Sequence, residues 1–299
     1  MTYAIEAHNL TKMYPKGVRA LDEVSFSIEP GTITGLLGRN GAGKTTLMQQ
    51  LTGQLFATSG SSALFGEPAL ERPDILARTC FIQEGQRYPD SMTGAQLLRV
   101  VRTIYPNWDE AFAQQLIADF RLPLDRSISK KLSRGQLSTI GIVIGLASRA
   151  EITFFDEPYL GLDAVARQMF YDRLLADFAE HPRTILMSTH HIDEAANLFE
   201  RVIVLDQGEI IIDEETENLR GTAVQLSGRT ADIDELTAGL NVVHRQQLGS
   251  LSTVMVLGVL PPEQERALKA RGIDFSSVSL QNLIVQLTAG HVDAAAAAK

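Results

Sequence analysis

The stretch Gly38-Arg39-Asn40-Gly41-Ala42-Gly43-Lys44-Thr45 decides the fold of this 299-residue chain. It fits the pattern G-x-x-x-x-G-K-[ST], whose glycines let successive backbone N–H groups curl around phosphate oxygens at the start of a helix. The β-branched apolar run 32–37 precedes it, and the segment LMQQLTG, which has helical spacing, follows it. The order strand, loop, helix predicts a phosphate-binding loop.

The residues of this loop have different expected tasks. Lys44 reaches the β- and γ-phosphates, the Thr45 hydroxyl is a ligand for Mg²⁺, and Thr46 lies near the α-phosphate. The residues whose backbone N–H groups and turns are expected to hold the phosphates are Gly38, Asn40, Gly41 and Gly43.

Two further apolar runs end in polar residues. Run 152–155 is followed by Asp156 and Glu157, and run 184–188 is followed by Thr189 and two histidines. Both are typical of central strands of a parallel sheet, which bind ligands at their carboxyl ends. Because adjacent strand residues point to opposite faces, we expect Asp156 to hold the metal, directly or through water, and Glu157 to act as general base.

Helical patterns alternate with these strands, which predicts a doubly wound α/β core. The predicted helices cover residues 95–104, 109–120, 135–148 and 164–178. The almost wholly helical region 84–150 is too long for a simple crossover and predicts a helical subdomain.

The pattern changes beyond residue 201. Runs 202–206 and 209–213 flank a Gln-Gly turn and predict a β-hairpin. We then expect a domain boundary near residue 220, so that residues 1–220 form the first domain and residues 221–290 a small α+β domain. The elements expected in the second domain are strands at 223–226 and 253–257 and helices at 262–270 and 279–287. The alanine-rich tail 291–299 is consistent with a frayed helix or a disordered end.

Composition narrows the class of protein. The chain has 44% hydrophobic residues, 21% charged residues and a net charge of −9, and no basic run exceeds Lys130-Lys131. Nucleic acid is therefore not an expected ligand. No apolar stretch approaches the roughly 20 residues that cross a bilayer, and no signal peptide is indicated. The single cysteine, Cys80, lies in an apolar run and is expected to be a buried core residue.

The ordered motifs resemble those of the ATP-binding cassette (ABC) family of ATPases through about the first 215 residues. Tyr14 resembles the aromatic residue that stacks on adenine, and Gln83 resembles the glutamine that senses the γ-phosphate and metal. LSRGQ (132–136) is similar to the LSGGQ signature, and YLGLD (159–163) to the loop that contacts the second subunit. The resemblance implies an ABC cassette with a mixed sheet and a helical subdomain, with ATP and Mg²⁺ as cofactors.

The resemblance also assigns site residues. It implies that Ser133, Gly135 and Gln136 bind the nucleotide of the partner subunit and that Gln83 contributes to the metal site. The switch histidine is His190 and not His191, because the family has a glutamate four residues later and Glu194 lies there. Arg134 departs from the family's usual glycine; it either faces solvent or adds positive charge near the γ-phosphate.

A single set of motifs implies pairing with a second ATP-binding subunit, as a homodimer or with a homologue. The family also implies separately encoded permease subunits, which would place the chain at the cytoplasmic face of the cell membrane. Segment 105–110 (YPNWDE) and the C-terminal 278–290 resemble export systems that handle drugs, antibiotics or lipids. The alternatives are a soluble or regulatory ABC ATPase and an importer ATPase. Arg87 and Tyr88 are the expected docking residues for the permease.

Overall fold

The computed structural model describes residues 2–128, 132–258, 266, 268 and 271–297, with side chains in the last helix as far as residue 288. It divides into two compact units. The first comprises Met1–His190 and Asn197–Asp213, and the second comprises His191–Ala196 and Glu214–Lys299. The Lys130-Lys131 pair and all but residues 266 and 268 of the predicted helix at 262–270 lie outside the described residues.

A six-stranded sheet forms the centre of the first unit. Its strand order is β5-β6-β7-β3-β8-β9, and the four neighbouring pairs from β5 to β8 are parallel. The strands are β3 (Ile33–Leu37), β5 (Thr79–Ile82), β6 (Ile152–Asp156), β7 (Thr184–Thr189), β8 (Arg201–Asp206) and β9 (Glu209–Glu215). Every residue of β3, β6 and β7 is buried, because both faces of a central parallel sheet are covered. The predicted strands at 32–37, 152–155 and 184–188 and the predicted hairpin are confirmed.

A second sheet, with order β2-β1-β4, is antiparallel. Its strands are β1 (Ile5–Tyr14), β2 (Val18–Ile28) and β4 (Ser59–Leu64), and a 3₁₀ turn at Pro15–Gly17 joins the first two. The sequence patterns above did not predict this sheet. Together the two sheets make the mixed-sheet core of the predicted fold class.

The described residues of the first unit include six α-helices with assigned bounds. They are α1 (Lys44–Leu51), α2 (Pro73–Leu76), α3 (Gly94–Ile104), α4 (Glu110–Asp119), α5 (Arg134–Ala147) and α6 (Ala164–Glu180). The predicted helices agree with α3 to α6 within two residues at each end. Thr93, Asp109, Ser133 and Asp163 cap these four helices through their side chains, as short polar residues do at helix starts.

The second unit contains a four-stranded sheet of order β11-β12-β10-β13. Its elements are α7 (Ile192–Ala195), α8 (Thr216–Leu219), β10 (Ala223–Arg229), α9 (Thr230–Leu236), β11 (Asn241–Leu248), β12 (Leu251–Leu257), β13 (Asp274–Ser277) and α10 (Leu280–Ala297). Val254 and Val256 pack with Ile233 on one face of β12, while Met255 packs with Leu283 on the other. Alternation along one strand thus places a helix on each face. The last helix includes most of the segment 291–299.

Candidate active site

The glycine-rich loop connects β3 to α1, and its backbone requires glycine. Gly38 has a φ of 148° and Gly43 a φ of 110°. A methyl group on Gly38 would lie 2.2 Å from the carbonyl oxygen of Leu205, and one on Gly43 would lie 2.4 Å from that of Ala20. A side chain at either position would therefore displace neighbouring backbone. The loop holds the curled conformation that suits phosphate binding.

Lys44 is the first residue of α1 and is buried within the loop, with 6% of its surface exposed. Its ammonium group donates to the carbonyl oxygens of Gly38, at 2.8 Å, and Arg39, at 3.2 Å, and lies 3.6 Å from Oε1 of Glu157. Buried lysines require such partners, because an unpaired ammonium loses its hydration. The loop thereby holds this positive charge against the acidic end of β6.

Asp156, at the end of β6, is held by two hydroxyl groups. The Thr45 hydroxyl donates to Oδ2 and the Ser188 hydroxyl donates to Oδ1, each at 2.6 Å. Thr45 is exposed whereas Asp156 is only 1% exposed. Thr45 is therefore the member of this pair that a ligand at the sheet edge can reach. Carboxylate and hydroxyl oxygens are hard ligands that suit Mg²⁺, particularly beside phosphate oxygens, and the residues present therefore fit the metal.

Glu157 and His190 meet at the same edge of the sheet. His190 Nδ1 lies 2.6 Å from Glu157 Oε2, and since an ionised carboxylate only accepts, Nδ1–H is the donor. Glu157 is buried, whereas the His190 side chain is 39% exposed. The backbone of Glu157 has a φ of 46°, in the left-handed region that non-glycine residues rarely occupy. Such local strain clusters at functional sites.

Gln83 directly follows β5, which is separated by β6 and β7 from the strand that precedes the loop. Its Oε1 accepts from Nε2 of Gln49 on α1 at 3.4 Å. Tyr14 lies at the end of β1, with its hydroxyl 3.4 Å from the Thr46 hydroxyl and its ring 37% exposed. The ammonium group of Lys12 lies 5.4 Å from the centre of that ring. The predicted adenine-stacking and sensor residues therefore contact α1, the helix that the loop begins.

The signature residues are held at the start of α5. Gln136 N–H donates to the Ser133 hydroxyl at 3.2 Å, and Ser133 N–H donates to Gln136 Oε1 at 2.9 Å, which is a capping box. A methyl group on Gly135 would lie 2.5 Å from the carbonyl oxygen of Gly161, so the signature abuts the loop 159–163 of its own chain. Arg134 is exposed. The side chains of Ser133 and Gln136 bond to each other's backbone, whereas separate contacts join Lys44 to Glu157, Glu157 to His190 and Thr45 to Asp156.

Two residues that are not among the predicted site residues also bond to the active site: Ser188, and Tyr159 of the loop 159–163 that is expected to contact the second subunit. Ser188 donates to Asp156, and Tyr159 accepts from the His190 backbone N–H at 3.3 Å while its hydroxyl bonds the Thr189 hydroxyl. The signal for Ser188 is its register, because β6 and β7 are parallel and place it opposite Asp156. Cys80 is fully buried, and desolvation raises its thiol pKa to about 11, which confirms it as a core residue.

The strand, glycine loop and helix, together with an acidic pair at the end of a neighbouring strand, define a P-loop nucleotide hydrolase. A family model described as ABC transporter matches residues 21–160. The doxorubicin resistance ATP-binding protein DrrA of Mycobacterium tuberculosis is 31% identical over 271 residues, which cover 89% of this chain and 78% of the relative.

Two solved structures share the fold. An ATP-binding subunit of an ABC transporter has a TM-score of 0.65 at 22% identity and covers 95% of this chain and 99% of its own. A dimeric ATP-binding cassette in a post-hydrolysis state, bound to ADP and Pi, has a TM-score of 0.62 at 22% identity and covers 71% of this chain and 98% of its own. The chain belongs to the ATP-binding proteins of ABC transporters, and it is an ATP-hydrolysing enzyme. Within its described residues, no helix is long and apolar enough to span a membrane.

Proposed function

We propose that this ATPase dimerises around two ATP molecules with Mg²⁺ and drives a separately encoded membrane permease that exports a drug, an antibiotic, a lipid or another amphipathic substrate. The observation that carries the proposal is the continuous cluster in which Lys44, Glu157 and His190 meet beside the Thr45–Asp156 pair. These groups are the ones that phosphoryl transfer to water requires: a cation, a metal-binding oxygen pair and a base held in place.

Nucleotide binding would use the loop and its surroundings. The backbone N–H groups of residues 38–46 and the Lys44 ammonium hold the phosphates, while the Tyr14 ring stacks on the base. Thr45, Asp156 and Gln83 would hold Mg²⁺, which supplies positive charge that offsets the charge on the phosphate oxygens. The exposure of Thr45 and Tyr14 supports this arrangement, since both side chains are accessible to a nucleotide.

Hydrolysis would depend on Glu157. Its carboxylate accepts a proton from the attacking water, and the bond from His190 Nδ1 to Oε2 holds the carboxylate in one orientation. The ammonium group of Lys44 lies 3.6 Å from the other oxygen, Oε1, and forms an ion pair with the carboxylate. His190 therefore acts as an orienting group, and Glu157 as the base.

Dimerisation would complete the site. Ser133, Gly135 and Gln136 form one cluster at the start of α5, and the phosphate loop forms another at the start of α1. In the proposed dimer the signature of one subunit faces the phosphates held by its partner. The oxygen of the Ser133 hydroxyl accepts from Gln136 N–H, which leaves the hydroxyl proton available to donate to a phosphate oxygen.

A permease would dock beside Gln83. A cavity of about 860 Å³ is lined by residues 82–90 and by Leu132, Arg134, Leu137 and Glu157. Arg87 is exposed there and is a proposed docking residue. Tyr88 also lines this cavity but is half-buried, with its hydroxyl buried next to Gly141 of α5, so Arg87 is the more accessible of the two proposed docking residues. Burial of that hydroxyl raises the Tyr88 pKa.

Copurification from membranes tests the transporter role. We expect the tagged chain to copurify with a hydrophobic protein of about six membrane helices, and the Arg87→Glu variant to lose it while it keeps ATP binding. Arg126→Glu, an exposed arginine outside the cavity residues, is the charge-matched control. Recovery of the chain only in soluble fractions, without such a partner, would instead support a soluble or regulatory ATPase. A transport assay on the complex then separates export from import.

A further inference from the structure

The hydroxyl group of Ser188 bonds to both acidic residues of the active site, Asp156 and Glu157. The strands β6 and β7 pair in parallel register, with Asp156 opposite Ser188. Ser188 is fully buried, with no exposed surface. It precedes His190 by two residues and belongs to none of the motifs from which the site was predicted.

The hydrogen bonds of Ser188 use both capacities of its hydroxyl group. A serine hydroxyl has one proton to donate and lone pairs that accept. Its proton goes to Asp156 Oδ1 at 2.6 Å, and its oxygen accepts from the Glu157 backbone N–H at 3.0 Å. One buried hydroxyl therefore holds the side chain of the first acidic residue and the backbone of the second.

Each of these two bonds restrains a specific degree of freedom. Thr45 binds the other oxygen of Asp156, so the two hydroxyls together fix the plane of that carboxylate. Glu157 has a φ of 46°, and its N–H bond to Ser188 helps to hold this unfavourable backbone conformation. The conformation sets the direction in which the Glu157 side chain leaves the strand, toward His190 and Lys44.

We propose that Ser188 is a positioning residue for ATP hydrolysis: its hydroxyl fixes Asp156 and Glu157 relative to each other. The proposal rests on the roles proposed above for these two acidic residues. Ser188 does not touch the nucleotide in this scheme; it acts through the groups that hold the metal and the water. Hydrogen bonds of this kind to metal ligands and bases tune activity while leaving the ligands themselves in place.

A buried hydroxyl on the neighbouring strand β6 provides the control for a purely structural role of Ser188. Thr153, on β6, is also fully buried, and its hydroxyl has no hydrogen-bond partner among the described residues. The sheet thus tolerates a buried hydroxyl that does not support the active site. Thr153→Val changes one buried hydroxyl to a methyl group of the same size and is the matched control.

The test compares Ser188→Ala with Thr153→Val in steady-state ATP hydrolysis, nucleotide binding and thermal unfolding. We expect Ser188→Ala to lower kcat by about 10- to 100-fold. The affinity for ATP measured without Mg²⁺ should stay within about two-fold, because Ser188 acts through the groups that hold the metal and the water and does not touch the nucleotide. Thr153→Val should keep the parental kcat.

Two results would overturn the proposal. One is a kcat for Ser188→Ala within about two-fold of the parent. The other is a loss of kcat matched by an equal loss of ATP affinity, which would indicate general damage to the fold. If Ser188→Ala does not fold, Ser188→Cys preserves the side-chain shape with a weaker hydrogen-bonding group, and the same criteria apply to it.

Glu157→Gln, assayed in parallel, separates this inference from the assignment on which it rests. If Glu157→Gln hydrolyses ATP at the parental rate, the base assignment is wrong and the inference falls with it. If Glu157→Gln is inactive and Ser188→Ala is fully active, only the positioning role of Ser188 is wrong.

Discussion

Lys44 combines a fixed charge with a fixed position. It is 94% buried, and it binds the carbonyl groups of Gly38 and Arg39. Both residues belong to the loop that we propose binds the phosphates. The glycines thus shape the backbone that both positions the lysine and presents N–H groups to a ligand. A substitution of Lys44 should therefore weaken nucleotide binding, the step that precedes hydrolysis.

Lys44→Ala should lose ATP binding as well as turnover. Removal of a charge-assisted contact costs about 2 to 3 kcal/mol, which corresponds to roughly 100-fold weaker affinity. Equilibrium binding of a fluorescent ATP analogue measures this change, with the thermal unfolding midpoint as the check that the variant is folded. Unchanged nucleotide affinity in a folded variant would contradict the phosphate-loop assignment.

The residues of the site differ in how far sequence could locate them. Lys44, Thr45, Asp156 and Glu157 follow from a loop pattern and from polar residues after apolar strands, because those signals are local. Ser188 could not be found in this way, since its importance depends on the register between two strands that lie 28 residues apart along the chain at their nearest ends, Asp156 and Thr184. Hydrogen-bond partners across a sheet are a property of the fold and have no fixed spacing in sequence.

At the scale of elements, one buried carboxylate joins several segments around the helical region. Asp177 of α6 is 5% exposed and binds Arg183, before β7, at 2.7 Å, and it also binds Arg149, after α5. Arg149 in turn binds Asp109, the cap of α4, at 2.9 Å. The Phe112 backbone N–H and then Arg149 hold the pKa of Asp109 below its usual value. Segment 105–110 is thereby tied to the core through its aspartate.

Asp177→Ala should destabilise the protein strongly, because it leaves the buried guanidinium group of Arg183 without its carboxylate and removes one of the two carboxylates that bind Arg149. Removal of one partner from a buried ion pair costs about 3 to 5 kcal/mol of the free energy of unfolding. Asp172→Ala, on the exposed side of the same helix, should change it by less than about 0.5 kcal/mol. Chemical denaturation measures both. An equally small change in the two variants would mean that the network does not hold these elements together.

The elements that sequence patterns missed share a physical cause. Strands β1 and β2 pair with three register shifts, which break the regular alternation of apolar and polar residues on which strand prediction depends. Strand β4, SGSSAL, contains almost no apolar residues. By contrast, β3, β6 and β7 are buried along their whole length and read as continuous apolar runs.

At the scale of the whole molecule, the net charge of −9 and the 44% hydrophobic content are those of an ordinary globular protein. The active site could not be inferred from them. The site depends on local charge: a buried ammonium group, oriented N–H groups and two acidic residues at one edge of a sheet. In the proposed dimer, the signature of the second subunit would add the remaining groups, because the signature and the phosphate loop of one chain would bind different nucleotides.

We propose that Glu157 is the base of an ATPase that acts as a dimer. Glu157→Gln keeps the side-chain shape and the contact to His190 but removes the basic carboxylate, so ATP should bind without being hydrolysed and should keep the two subunits together. The most direct measurement is the molar mass of this variant by light scattering, with and without ATP and Mg²⁺, alongside its rate of phosphate release. For Glu157→Gln we expect twice the monomer mass only in the presence of ATP, and phosphate release no faster than background. A monomer under both conditions, or hydrolysis at the parental rate, would contradict the proposal.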